Sequence, residues 1–201
     1  MYGTDAVDAP FSLIPPVPPA YAESHCRSNF TSLVGASMPE ELVWRAAEKR
    51  YTALALTDEC SVFGVVRAHL EARECGLHFI VGSEIELTTG CDTPFARVVF
   101  LAKDRRGDGN LCELIAMARR RAAKVLYKEA RVADVDGKTA KAPHLAGMSG
   151  FIALLLPAAD ATVDSFFAQA MWLRTWFSER GWIACSRPMR MDDDLHLWIA
   201  E

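Results

Sequence analysis

The fold turns on residues 52–87, TALALTDECSVFGVVRAHLEARECGLHFIVGSEIEL. Residues 52–57 (TALALT) are short and apolar, which suits a buried parallel strand. From residue 61 a helix is expected, with Val65, Val66, His69, Leu70 and Arg73 spaced along it. Gly76 follows where a helix C-cap needs left-handed backbone. Residues 78–87 (HFIVGSEIEL) then read as a second strand. Strand, helix, strand at this spacing is one βαβ unit, and such a unit makes a parallel strand pair.

The pattern extends both ways. Upstream, residues 21–26 suit a strand. Ser37-Met38-Pro39-Glu40 reads as a capping box opening a helix with Leu42, Val43, Ala46 and Ala47 on one face. Residues 1–19 read as a flexible leader, broken by Pro10, Pro15, Pro16, Pro18 and Pro19. Downstream, a turn is expected at 88–94, a strand at 97–102, a turn at RRGDG (105–109) and a helix over 110–129. Residues 131–149 are polar and irregular. A strand at 150–156, a helix at 160–180, a strand at 182–186 and a helix at 192–201 complete the pattern. This alternation predicts an α/β fold with a mainly parallel sheet, open or closed into a barrel. No Gly-rich phosphate fingerprint follows the first strand, which argues against a dinucleotide fold.

Composition narrows the function classes. The 201 residues are 51% hydrophobic and 24% charged, enough for a sizeable core. A net charge of −4 argues against nucleic-acid binding by bulk charge. None of the six cysteines forms a C-x-x-C pair, and no signal peptide is evident. Free thiols and a cytoplasmic location are expected. The most apolar later run, residues 150–159, is shorter than the ~20 residues a membrane-spanning helix needs.

His25, Asp58, Glu59, Glu84 and Glu86 fall at the ends of, or within, the first three strands. Loops at the carboxyl edge of α/β sheets host ligands and catalysis. Such side chains can hold a divalent metal and activate water for phosphoester hydrolysis. They can equally be helix caps or ion-pair partners of Arg27 and Arg97. Arg119, Arg120, Arg121, Lys124 and Lys128 form a basic stripe, a candidate contact for DNA or a partner, or else a solvated helix face. Phe166, Phe167, Trp172, Trp176 and Phe177 are read as core, and His69 and His144 as packing or surface residues.

At these residues the chain resembles a known family. The segments carrying the likeness are HCRSNFTSLVGAS (25–37), PEEL (39–42), ALTDE (55–59), GVVRAH (64–69) and IVGSE (80–84). FLAKD (100–104), GNLCELI (109–115), ARRRA (118–122) and WLR (172–174) extend it. Together they resemble a PHP domain, most closely the N-terminal one of bacterial error-prone DNA polymerases, relatives of the polymerase III alpha subunit. The resemblance implies a distorted β/α barrel over residues 20–201, incomplete at its C-terminus. It also implies a cluster of metal ions held by His, Asp and Glu in active members.

The match to the family's metal site is partial. His25, Asp58 and Glu84 match, but Arg27 replaces a His, Glu59 replaces a His, and Val34 stands where an Asp is common. Arg97 stands for a His and Pro157 for a Cys. A guanidinium has donors only and cannot ligate a cation. The expectation is therefore a degenerate site whose residues pair with Arg27, with no cofactor; zinc or manganese is implied only if the site works. The resemblance implies a role inside a polymerase that copies damaged templates, beside its polymerase modules or replication and repair proteins, with no polymerase active site in this chain. The alternatives are a stand-alone metal-dependent phosphoesterase and a non-catalytic adaptor or remnant.

Overall fold

The computed structural model describes residues 20–90, 93–122, 128–138, 142–158 and 160–185. The leader, Lys124 and the helix expected at 192–201 lie outside them. The first half is the expected βαβαβ run. Strand β1 (Ala22–Cys26) pairs in parallel with β2 (Ala53–Leu56), and β2 with the start of β3 (His78–Thr88). Helices α1 (Pro39–Glu48) and α2 (Val65–Cys75) are the crossovers. Gly76 ends α2 at φ 68°, as expected of a left-handed cap. The start of α1 differs from expectation. The cap position is Met38, whose backbone N–H donates to Glu41 Oε2 at 2.8 Å, and Ser37 lies outside the helix.

The second half departs from a mainly parallel sheet. β4 (Pro94–Ala102) pairs antiparallel with β3, and β6 (Phe151–Leu156) antiparallel with β4. The turn between β3 and β4 is too short for a parallel crossover, which takes a dozen or more residues. Thr89 N–H donates to Thr93 O across it at 3.1 Å. β7 (Gly181–Ile183) restores parallel pairing on β6. A two-residue strand, β5 (Ala130–Arg131), pairs with the far end of β3. The sheet order is β1-β2-β3-β4-β6-β7 with β5 on β3.

Helix α3 (Arg105–Arg121) begins where a turn was expected and ends eight residues before residue 129. Asp104 caps it by accepting from Gly107 N–H at 2.7 Å. Gly107 allows the close approach to the sheet, since a Cβ there would sit 2.5 Å from Gly150 O. The irregular stretch holds α4 (Val132–Val135) and 3-10 turns at Pro143–Met148. Helix α5 (Val163–Phe177) is capped by Thr162.

The sheet curls into a half-barrel. Its concave face carries Ala55, Ile80, Val99, Leu101, Ile152, Leu154 and Leu156. Its convex face packs on the helices through two larger clusters, one around Val43, Leu54 and Ala68, the other around Phe100, Leu114 and Phe177. Trp172 and Phe177 are core residues as expected, whereas Phe167 is exposed. No described helix is long and apolar enough to cross a membrane. Among the described cysteines, Cys26, Cys60, Cys75 and Cys112 are free thiols.

Candidate functional site

The carboxyl ends of β1 and β2 and the middle of β3 bring His25, Arg27, Asp58, Glu59 and Glu84 to one edge. Register explains why Arg97 joins them. It lies opposite Glu86 on β4, and Glu84 is its diagonal neighbour on the same concave face.

Glu84 is the centre of the cluster. Only 2% of the residue is exposed. Its Oε2 is 2.8 Å from His25 Nε2 and 3.5 Å from Arg27 Nη1, and its Oε1 is 3.3 Å from Arg97 Nε. Burial alone would raise this carboxyl group, but the His25 hydrogen bond and the Arg27, His25 and Arg97 charges outweigh it and hold it below the ordinary carboxylate range. The two arginines supply the positive charge that a buried carboxylate requires.

Asp58 has a different job. It is 1% exposed. Ser28 N–H and Thr31 Oγ1–H donate to its Oδ1 at 2.7 and 2.8 Å, and Ser28 Oγ–H donates to its Oδ2 at 2.7 Å. Thr31 Oγ1 also accepts from Glu59 N–H at 3.0 Å. Asp58 is thus the anchor of the β1–α1 loop, with both oxygens engaged inside the protein. Pairing with Arg27 was expected of Glu59 as well. Instead its carboxylate pairs with Lys128, which lies two residues before β5. Burial pulls the Lys128 amine down to about 8.

Val34 is exposed on the β1–α1 loop and offers no ligand atom. Pro157 follows β6 and lines a pocket of about 570 Å³ with Glu86, Arg97, Asp160 and Thr162. Arg119 turns inward: it donates twice to Cys60 O, at 3.1 and 2.9 Å, and its guanidinium stacks 4.6 Å from the Phe63 ring centroid. Arg121 makes a two-pronged pair with the fully buried Asp134, at 2.7 and 2.8 Å. Arg120 is the exposed member of the three. His144 pairs with Glu113 at the surface, and His69 lies beside the Phe79 ring.

Three participants were not singled out for this site from the sequence: Ser28 and Thr31 as hydroxyl donors, and Lys128 as a counter-ion. The Ser-x-x-Thr spacing is a local signal for a loop that wraps an acceptor. Nothing local marks Lys128 as the partner of a residue 69 positions away.

The residues present do not fit a metal cluster. Asp58 has both oxygens engaged by donors of the β1–α1 loop, Glu59 faces an ammonium, and Glu84 faces an imidazole and two guanidiniums. Among the described residues no group of three or more His, Cys, Asp or Glu is arranged to hold a metal ion.

The comparisons with known proteins converge on this architecture. A family profile described as "PHP domain" matches residues 23–182. Error-prone DNA polymerases of Bordetella parapertussis and Bordetella bronchiseptica are each 48% identical over 178 residues, covering 89% of this chain and 17% of theirs. That of Pseudomonas aeruginosa is 42% identical over 178 residues, covering 89% of this chain and 15% of its own. The chain therefore spans about one sixth of the length of the curated relatives it matches. Among solved structures, a protein of Bifidobacterium adolescentis assigned as a metal-dependent phosphoesterase aligns with TM-score 0.60 at 14% identity, over 91% of this chain and 83% of that one. An amidohydrolase of Chromobacterium violaceum, with bound sulfate and no metal, aligns with TM-score 0.61 at 16% identity, over 90% and 82%. At such identities the structural likeness shows the fold alone.

Proposed function

The chain belongs to the PHP domain family, and from that premise we propose that it is the PHP portion of an error-prone DNA polymerase, acting as a folded support and not as a hydrolase. The observation that carries the polymerase assignment is the 48% identity sustained over 178 residues with polymerases of that name. The observation that supports a non-catalytic role is the set of side-chain cations, Arg27, Arg97 and Lys128, on the carboxylates of the site. In this reading nucleotide addition across damaged templates belongs to polymerase modules elsewhere in the parent assembly, in the cytoplasm. This portion then contributes to repair and damage-induced mutagenesis by holding its neighbours in place.

The test is a chimera in which residues 23–182 replace the matching segment of the Bordetella bronchiseptica polymerase. Primer extension at the level of the unmodified polymerase supports the proposal; its loss overturns it. In parallel, the chain alone is assayed with a phosphodiester substrate and added manganese. Turnover abolished by Glu84→Ala would replace the proposal with the phosphoesterase reading.

A further inference from the structure

We infer that the tip of the β1–α1 loop, Leu33 and Val34, is a knob that docks into an apolar pocket on the polymerase portion the relatives carry beyond this domain; this rests on the function proposed above. Leu33 is fully exposed and Val34 is exposed at 57%. Leu33 is also held at φ 66°, a left-handed conformation that a leucine adopts at a cost. Exposure and strain in one residue are unfavourable twice over, and the surrounding loop enforces both. Asp58 grips Ser28 and Thr31 from below. Val34 N–H and Gly35 N–H both donate to Thr31 O, at 3.2 and 3.1 Å. Gly35 lies so close to the loop's start that a Cβ there would sit 1.9 Å from Ser28 O. Strain held in place by an over-determined frame, on a side chain that packs on nothing, is the observation from which the contact is inferred.

The partner's chemistry follows from the loop's own. Residues 28–38 contain no charged side chain, so the tip brings no cation to a phosphate backbone, and its two apolar side chains suit an apolar protein surface. The neighbouring loop, between β2 and α2, packs against it at Gly64, whose added Cβ would meet Phe30 and Pro39. That loop carries the exposed Phe63. Most of each relative's length lies outside the matched segment, which supplies the occupant.

The test uses the same chimera and hydroxyl-radical footprinting. Labelling of Leu33 and Val34 is expected to fall about fivefold or more in the chimera relative to the 201-residue chain. Leu33→Asn keeps the left-handed backbone, since Asn tolerates it, so the chain alone should melt at the same temperature or higher while the chimera melts lower. Equal labelling in chimera and chain overturns the inference and leaves the primer-extension result standing. A chimera that fails to extend primers overturns the function on which the inference rests, and the inference with it. A lower melting temperature for the Leu33→Asn chain makes the tip an internal packing element and also overturns it, unless Val34→Asn destabilises the chimera while sparing the chain. A dimer of the chain alone, by light scattering, that Leu33→Asn dissolves would reassign the tip to self-association and overturn it.

Discussion

Replacing Asp58 by Ala separates an anchor from a metal ligand. In the structure its carboxylate accepts three hydrogen bonds of 2.7–2.8 Å, from Ser28 N–H, Ser28 Oγ–H and Thr31 Oγ1–H. Ser28 is fully buried and Thr31 nearly so. Ala strands all three donors, and a stranded buried donor costs about 1–3 kcal/mol. Water entering the vacated space recovers part of that, so the expected loss is about 3–5 kcal/mol, among the larger effects of single substitutions. For a domain of this size that lowers Tm by roughly 8–15 °C. Asp58→Asn is gentler. Its carbonyl oxygen still takes Ser28 N–H and Thr31 Oγ1–H, while its amide donates to a reoriented Ser28 hydroxyl, so a loss of about 1–2 kcal/mol is expected from the missing charge. Urea unfolding followed by circular dichroism, in EDTA and again with zinc or manganese, measures both variants. A loss below about 1 kcal/mol for Asp58→Ala in EDTA, growing when metal is added, would refute the anchor and restore a ligand.

Glu84→Gln should flatten the acid limb of the stability profile. The folded carboxyl lies below its unfolded value, so its contribution is present above the ordinary carboxylate range and is lost as pH falls through the folded pKa; urea midpoints between pH 3 and 7 report it. Lys128 behaves oppositely. Its amine titrates near 8 when folded and at 10.5 as the reference, so the unfolded chain binds more protons between these values and stability should rise with pH across that window. Lys128→Met should abolish that rise, read from the same midpoints at pH 7.5–10.5. Arg121→Ala takes the guanidinium from the buried Asp134 while leaving the Arg131 N–H on it, and should cost about 2–4 kcal/mol, whereas Arg120→Ala should stay within about 0.5 kcal/mol in urea unfolding.

Periodicity makes the first half of the fold legible and the second half less so. The βαβ unit around α2 shows because apolar runs, helical spacing and Gly76 all agree. The antiparallel switch at β3–β4 is written only in the shortness of a turn, and strand direction has no periodicity of its own. Helix α3 hides behind Gly107 and Gly109, which read as a turn when taken alone. Gly107 is there because a helix turn passes within contact of Gly150, a tertiary fact. The basic stripe divides for the same reason. Arg119, Arg120 and Arg121 are adjacent in sequence, but 100° steps around a helix send them to a backbone carbonyl, to solvent and to a buried aspartate. Residue type names a donor; only the packing decides what it meets.

The site shows the limit most clearly. The resemblance marks His25, Asp58 and Glu84 as matches to a ligand pattern, and a pattern cannot say what a matching side chain meets in the fold. Geometry gives the two carboxylates different jobs. Asp58 accepts from three donors of the β1–α1 loop. Glu84 is the point on which Arg27 and Arg97 converge, and a buried carboxylate and its cations depend on one another. Changing Arg27 to His removes one guanidinium but leaves Arg97 on Glu84 Oε1 and Lys128 on Glu59, so at pH 7 a divalent ion would still meet two positive charges. Arg27→His should therefore bind no zinc after dialysis. A near-stoichiometric zinc content from that single change would show that the guanidinium of Arg27 alone, and not the combined set of cations, keeps metal out.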